Sequence, residues 1–454
     1  MVAPVVSFVV VVGILIFVHE LGHFLVARWC GVGVDRFSLG FGPVLFSFRR
    51  GETEYCLSAI PLGGYVKMMG EESPLEGGGT GSPDSEKSFS EKPVWRRFLI
   101  VFAGPGMNFF LPIVLTAGLF MALGRPGSPP VVGPVEPGSP AAQAGLRTGD
   151  RVVSVDGQPI VQWEEMLERF QSTGGGEIQL ALRRGEEEIG VRVIPRQRKL
   201  RDPLGDERSL WEIGARAYAP PRIGQVMPGQ PADRAGLRAG DTVLAIDGQP
   251  VYGWDELAEG IQKRAGKPTI FTLERDGKRL EISVVPEPGK HPGGEDKEVG
   301  LIGIGSSGRG PNAVYSRSNP LAAIQLAVVW TGDVTWLTLR SIWKLIRGAI
   351  PASNIGSPIM IAVEAGQQAR LGWDNLILFT ALISVNLGVL NLFPIPVLDG
   401  GHLLFFAIEA IRGRPLSLRK REVAQQVGMF LLLLLMVFAV YNDVSRFNLL
   451  RFLR

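Results

Sequence analysis

The sequence predicts a multi-pass α-helical membrane protein with four transmembrane helices, a membrane-associated β-hairpin region after the first helix, and a duplicated α+β domain between the second and third. Three observations carry this. Of 454 residues, 46% are hydrophobic and 20% charged, with a mean hydropathy of +0.18, which is more apolar than a soluble enzyme of this length. Four stretches are long and apolar enough to cross a bilayer. A segment of the polar middle region also recurs 226 − 135 = 91 positions further on.

The first span (1–30) is apolar from Val5 to Ala27, broken chiefly by Ser7 and by His19, Glu20 and His23. No Lys or Arg precedes Arg28 and no small-residue cleavage site follows, so the segment is expected to be retained as a helix and not removed as a signal peptide. Further spans are expected at 98–124, 375–411 and 426–442. Arg28, Arg36, Arg49, Arg50, Lys92, Arg96 and Arg97 crowd the loop at 31–97, and Arg412, Arg414, Arg419, Lys420 and Arg421 crowd the link between spans three and four. Basic loops stay in the cytoplasm, so both termini and the long middle region are expected outside.

The formal net charge is only +3, which offers no nucleic-acid surface. Cys30 and Cys56 alone build no disulfide framework and exclude a C-x-x-C metal site. The histidines are His19, His23, His291 and His402, a short list for any imidazole-bound metal.

Between Phe37 and Gly70, glycines and prolines alternate with β-prone runs at Tyr55–Ile60 and Tyr65–Met69, which predicts hairpins at the membrane with an open edge able to pair with another extended chain. Leu75–Ser90, rich in Gly, Ser and Glu, reads as a flexible loop. Residues 320–348 carry Trp330, Trp336 and Trp343 with Arg340, Lys344 and Arg347, the pattern of an amphipathic helix lying at the interface; Asp333 and the basic groups speak against a fifth span.

Val135–Pro159 and Val226–Pro250 are identical at 16 of 25 positions by direct alignment. Each copy reads as a strand, a Pro-Ala-x-x-Ala-Gly-Leu helix, a Gly-Asp turn, an apolar strand, an Asp-Gly hairpin turn, and a second helix opened by Trp163 or Trp254. Over 128–200 and 220–290 the copies resemble the PDZ domains of bacterial proteases. That resemblance implies two tandem PDZ domains, each with a groove able to take a peptide C-terminus.

His19-Glu20-Leu21-Gly22-His23 is an H-E-x-x-H motif on a helix. Residues four apart share a face, so both imidazoles can hold one Zn²⁺, while Glu20, about 100° round, can act as a general base. Three ionisable groups at membrane depth cost too much to be idle. A catalytic zinc takes three protein ligands, and the other ionisable residues in apolar surroundings are Asp399 and His402, beyond a stretch broken by Pro394 and Pro396. Asp399 is the candidate third ligand; His402 is the alternative, or a partner behind the ligands.

His19-Glu20-x-x-His23 together with Asn391-x-x-Pro394-x-Pro396-x-x-Asp399-Gly400 resembles the site-2 protease family of intramembrane zinc metalloproteases. Gly40-Phe41-Gly42-Pro43, Pro61-Leu62-Gly63-Gly64-Tyr65-Val66-Lys67, Ala103-Gly104-Pro105-x-x-Asn108-Phe109 and the tandem repeat narrow the resemblance to the regulator-of-sigma-E branch. It covers nearly the whole chain. It implies one Zn²⁺ per chain held by His19, His23 and Asp399, with Glu20 as general base and later acid. It implies that Asn391 and Pro396 hold an unwound substrate segment and that Gly64, Tyr65 and Val66 pair with it as an edge strand. The implied substrate is a single-span membrane protein, an anti-sigma factor or a leftover signal peptide, and the implied place is the bacterial inner membrane with the PDZ pair on the periplasmic side. An inert membrane scaffold leaves Glu20 without a purpose, and a metal transporter wants ligands spread along a pathway and not one compact cluster.

Overall fold

The computed structural model describes residues 2–70, 85–201, 205–227, 229–290, 298–306, 314–316, 319–350, 352 and 355–446. Most of the loop expected over Leu75–Ser90, and His291, lie outside them. The chain forms two units, Met1–Ala122 with Ser318–Arg454, and Leu123–Arg317.

The first unit contains, in chain order, α1 (Val2–Trp29), the strands β1 (Val34–Arg50) and β2 (Thr53–Met68), then α2 (Val94–Ala122), α3 (Pro320–Ile346), α4 (Pro358–Leu371), α5 (Trp373–Asn391), α6 (Asp399–Arg412) and α7 (Leu418–Arg446). Among the described residues five helices are long and apolar enough to cross a membrane: α1, α2, α3, α5 and α7. Four match the stretches expected to span. The fifth, α3, is the segment read from sequence as an interfacial helix. Its basic residues Arg340 and Lys344, with Arg347 just past its end, gather at the C-terminal side, and Asp333 is the one charged residue in the rest of the helix. Ala323, Ala327 and Thr331 recur every four residues and are buried, the small-residue stripe that lets helices approach closely. The helix packs on α2 and α5, and Thr338 donates to Asn386 of α5 at 2.7 Å.

α2 runs antiparallel to α1 in close contact, and glycine makes the approach possible. A Cβ at Gly22 would stand 2.4 Å from the Ala103 carbonyl oxygen. The third apolar stretch is interrupted: α5 stops at Asn391, α6 starts at Asp399, and the turn between them contains Pro394 and Pro396, neither of which can donate to a helix.

β1 and β2 are long, bulged strands folded into several paired segments. Val44–Arg50 pairs with Thr53–Ser58, while Arg36–Leu39 is partnered on one side by Glu54–Leu57 and on the other by Gly64–Lys67. Gly64–Lys67 is therefore an outer segment. Phe41, Val44, Leu45, Phe46 and Phe48 stay exposed, an uncovered apolar surface on the outer part of the hairpin.

In the second unit the two repeat copies have the same strand order. One four-stranded sheet runs 158–159, 151–155, 178–184, 187–193, and the other 249–250, 242–246, 269–275, 278–284. The expected Asp-Gly turns adopt the left-handed conformation, with φ of 49° and 74° at Asp156 and Gly157 and 48° and 76° at Asp247 and Gly248. Helices Trp163–Ser172 and Trp254–Gln262 bury Met166 and Phe170, and Leu257 and Ile261, against the sheets. Each copy closes with a strand beyond the boundary read from sequence: Ala215–Ala217 returns to Val132–Val135 and Ile304–Ser306 to Ile223–Val226, with Ile213 and Ile302 inside the cores. The repeated Gly-Asp turn has a structural reason. Asp150 accepts from the Arg147 amide at 2.8 Å and from Arg184, and Asp241 does the same with Arg238 and Arg275. Burial alone would push the Asp150 carboxyl up, yet Arg184 and the Arg147 amide hold it below its ordinary range.

Candidate metal centre

The H-E-x-x-H spacing works as helix geometry requires. His19 and His23 stand one turn apart on α1, their Nε2 atoms 3.3 Å from each other, and both are about nine-tenths buried. Asp399 enters from the first turn of α6, with Oδ2 3.1 Å from His19 Nε2 and Oδ1 3.6 Å from His23 Nε2. Among the described residues these three form the group of side chains able to hold a metal ion together. Ligands about 2.0–2.1 Å from a zinc at tetrahedral angles lie about 3.3 Å apart, so two imidazoles and one carboxylate at these separations fit a zinc with a fourth position left open.

Asp399 can reach the site because the two residues after it are glycines. A Cβ at Gly400 would lie 2.2 Å from the Phe393 carbonyl oxygen, and one at Gly401 2.4 Å from the Ile395 oxygen. The start of α6 therefore seats directly on the backbone of the Pro394–Pro396 turn.

Glu20 lies outside the ligand group and faces the hairpin. A Cβ at Gly64 would sit 2.9 Å from Glu20 Cγ and 2.9 Å from Ile16 Cγ2, so the outer segment Gly64–Lys67 lies against α1 beside this carboxylate. Tyr65 stacks on Phe41 with ring centroids 6.2 Å apart, and Val66 is paired with Phe37. Asn391, at the end of α5, brings Nδ2 to 3.5 Å from His19 Nδ1. Pro396 sits on the turn against Gly401 and against Gly428 of α7. His402 is not brought into the ligand group. It lines a separate cavity of about 430 Å³ with Arg97, Phe406, Glu409 and Arg421, across which Arg97 and Glu409 form a buried ion pair at 2.6 Å.

α2 contributes contacts that the motif reading left without a task. His23 Nδ1 lies 2.9 Å from the Ile100 carbonyl oxygen, beside the turn where Pro105 cannot donate to Val101. Gly104 makes room for the same ring, since a Cβ there would stand 2.2 Å from His23 Nε2. Asn108, with no exposure, lies 3.0 Å from His19 Nδ1. The available signal was a span carrying two prolines and a lone amide.

A helix-borne H-E-x-x-H closed by a carboxylate from a distant turn, within a bundle of membrane-length helices, defines a metalloprotease of the zinc class. The sequence model of peptidase family M50 matches residues 7–435, and the chain belongs to that family. It is 38% identical over 462 residues to the regulator of sigma-E protease RseP of Escherichia coli, covering 97% of this chain and 98% of the relative. It is 37% identical to the regulator of sigma E protease of Salmonella typhi and 37% identical to protease RseP of Yersinia pestis, with the same coverage.

Proposed function

We infer that this metalloprotease hydrolyses a peptide bond within or near the transmembrane segment of a single-span membrane protein, in the bacterial inner membrane, using one zinc held by His19, His23 and Asp399. The observation that carries the reading is the juxtaposition of the buried His19–His23–Asp399 group with Glu20 and, against Glu20, the outer strand segment at Gly64. Zinc, when bound, supplies Lewis acidity to the scissile carbonyl and the attacking water.

The chain's own residues do the rest. A peptide bond in a helix is shielded by its own hydrogen bonding, so a substrate span must be unwound, and Gly64–Tyr65–Val66 offers backbone donors and acceptors to an extended strand. Asn391 and Pro396, on the broken stretch opposite, hold that strand from the other side. The Glu20 carboxylate takes a proton from the attacking water and returns it to the leaving nitrogen. An anti-sigma factor or a residual signal peptide fits this site, because each presents a single apolar segment.

The repeat copies read as tandem PDZ domains. In each, the closing strand at Ala215–Ala217 or Ile304–Ser306 has one paired neighbour among the described strands, which leaves an edge for a peptide. Lying in sequence between two spans, the pair serves mainly as a size filter on substrates, with capture of a new C-terminus as a lesser aid. Deleting 128–290 with a short linker then permits cleavage of an untrimmed substrate; loss of cleavage of trimmed and untrimmed forms alike, in a zinc-loaded protein, would overturn the filter.

The test of the central reading is cleavage of a model membrane-spanning substrate by the wild-type chain and by Glu20→Gln. Equal cleavage by the two rules the mechanism out.

A further inference from the structure

Asn108 is a fully buried amide at the crossing of α2 with α1 and α5. Its backbone is pinned there by an unusual bond. Pro112 has no N–H to give to the carbonyl four residues earlier, so the Asn108 oxygen is released from the helix ladder. The buried Ser384 hydroxyl of α5 donates to that oxygen at 2.8 Å instead. On the far side of the same crossing, Gly388 leaves room for the side chain: a Cβ there would stand 3.2 Å from Asn108 Cβ.

The Asn108 amide reaches His19. With Nδ2 facing His19 Nδ1 at 3.0 Å, the imidazole has to accept on Nδ1 and carry its proton on Nε2. Nε2 is the atom that stands by Asp399 and His23, and a protonated nitrogen cannot ligate a metal. In that same orientation Asn108 Oδ1 is buried without a hydrogen-bond partner. The oxygen and nitrogen of an amide have the same shape, so exchanging them frees His19 Nε2 and gives Oδ1 a donor. Oδ1 then accepts from His19 Nδ1–H, and Nδ2 takes the place the oxygen held.

We propose that Asn108 is a positioning residue for the metal site: its Oδ1 accepts the Nδ1 proton of His19 and fixes the ring in the tautomer whose Nε2 is free to ligate. His23 receives the same service from a backbone group, the Ile100 oxygen at 2.9 Å from its Nδ1. α2 thereby orients both imidazoles, each through an oxygen acceptor. The proposal rests on the reading that His19 is a ligand.

The experiment measures zinc affinity by chelator competition, and the absorption spectrum of the Co²⁺-substituted form, for the purified full chain and its variants. Asn108→Leu keeps the γ-branched shape and removes the acceptor; zinc affinity is expected to fall about 10–100-fold, as when an outer partner of a ligating histidine is lost. Asn108→Asp keeps an acceptor, and its affinity is expected to stay within about threefold of wild type or to tighten, with the cobalt spectrum retained. Were Nδ2 the atom that faces His19, Asn108→Asp would be the more damaging change, so an aspartate variant about tenfold weaker in zinc overturns the proposal even if the leucine variant does not fold. Wild-type affinity in a folded Asn108→Leu also overturns it. His19→Ala separates the two levels: stoichiometric zinc there defeats the ligand reading itself, whereas loss of zinc there beside an unaltered Asn108→Leu defeats this inference alone.

Discussion

The two halves of the candidate metal centre are built in opposite ways. His19 and His23 are placed by one intact helix, whose regular turn brings them together without help from the rest of the chain. Asp399 is placed by a helix that has been interrupted and restarted, with two prolines in the break and two glycines in the restart. The first half takes its spacing from the helix itself; the second depends on close backbone contacts around the break. Gly13 on α1 has nothing within 4 Å of an added Cβ, while Gly400 has three backbone atoms within 2.4 Å.

Substitutions can break or sharpen that contrast. The largest effect is expected at Glu20, which sits in the helical half and outside the ligand group. Glu20→Gln should reduce turnover by more than the 10²–10⁴ that general acid–base catalysis supplies, because the carboxylate also orients the water, while zinc stays bound. Parallel measurement of single-turnover cleavage and metal content decides it; zinc falling in step with activity would show that Glu20 is a ligand. Next comes Asp399→Asn, expected to lose zinc and activity together, with affinity lowered by more than the 10–100-fold of an outer partner. Stoichiometric zinc in that protein would remove Asp399 from the ligand set.

Gly400→Ala tests the restart without touching a ligand. The added methyl must displace the Leu392–Phe393 backbone, so zinc affinity should fall about 10–100-fold, whereas Gly13→Ala leaves it unchanged. Equal affinities for the two variants would mean that the turn carries no strain. The smallest effect is expected in the other unit. Asp150→Asn removes a carboxylate that Arg184 and the Arg147 amide hold, and should destabilise the first repeat copy by about 1–3 kcal/mol at neutral pH with no change in zinc. The folded carboxyl titrates below its unfolded value of about 3.9, so its contribution is present above that value and lost as pH falls through the lower folded one. Denaturant unfolding of wild type and variant should therefore converge in acid. A gap that persisted there would assign the effect to packing and not to charge.

Sequence legibility follows the same division. Helical spacing is a local property, so the meeting of His19 with His23 could be read from five residues, and the approach of Asp399 to them from the scarcity of other ionisable groups in apolar surroundings. The repeat announced itself by identity, but its closing strands did not. Ala215–Ala217 and Ile304–Ser306 are three residues each, too short for an alternating pattern, and their place is fixed by Ile213 and Ile302 entering cores formed far upstream. α3 shows how composition can point two ways. Tryptophans and terminal basic residues suggest a helix at the membrane interface, its length and apolarity also suit a span, and its buried stripe of Ala323, Ala327 and Thr331 is too small to stand out among larger apolar residues. Asn108 was visible as a lone amide in a span, but its partner lies 89 positions away, and only the packing of α2 on α1 names it.

Ile100, Gly104 and Asn108 fall four residues apart on α2 and meet His23 and His19 in reverse order. One inserted residue between Ile100 and Asn108 would turn half of that face about 100° away from the imidazoles. The length of this stretch is thus held as firmly as the three-residue gap between His19 and His23. Loops elsewhere can lengthen over generations, but here insertion and deletion are closed routes of change, and variation has to proceed by substitution alone.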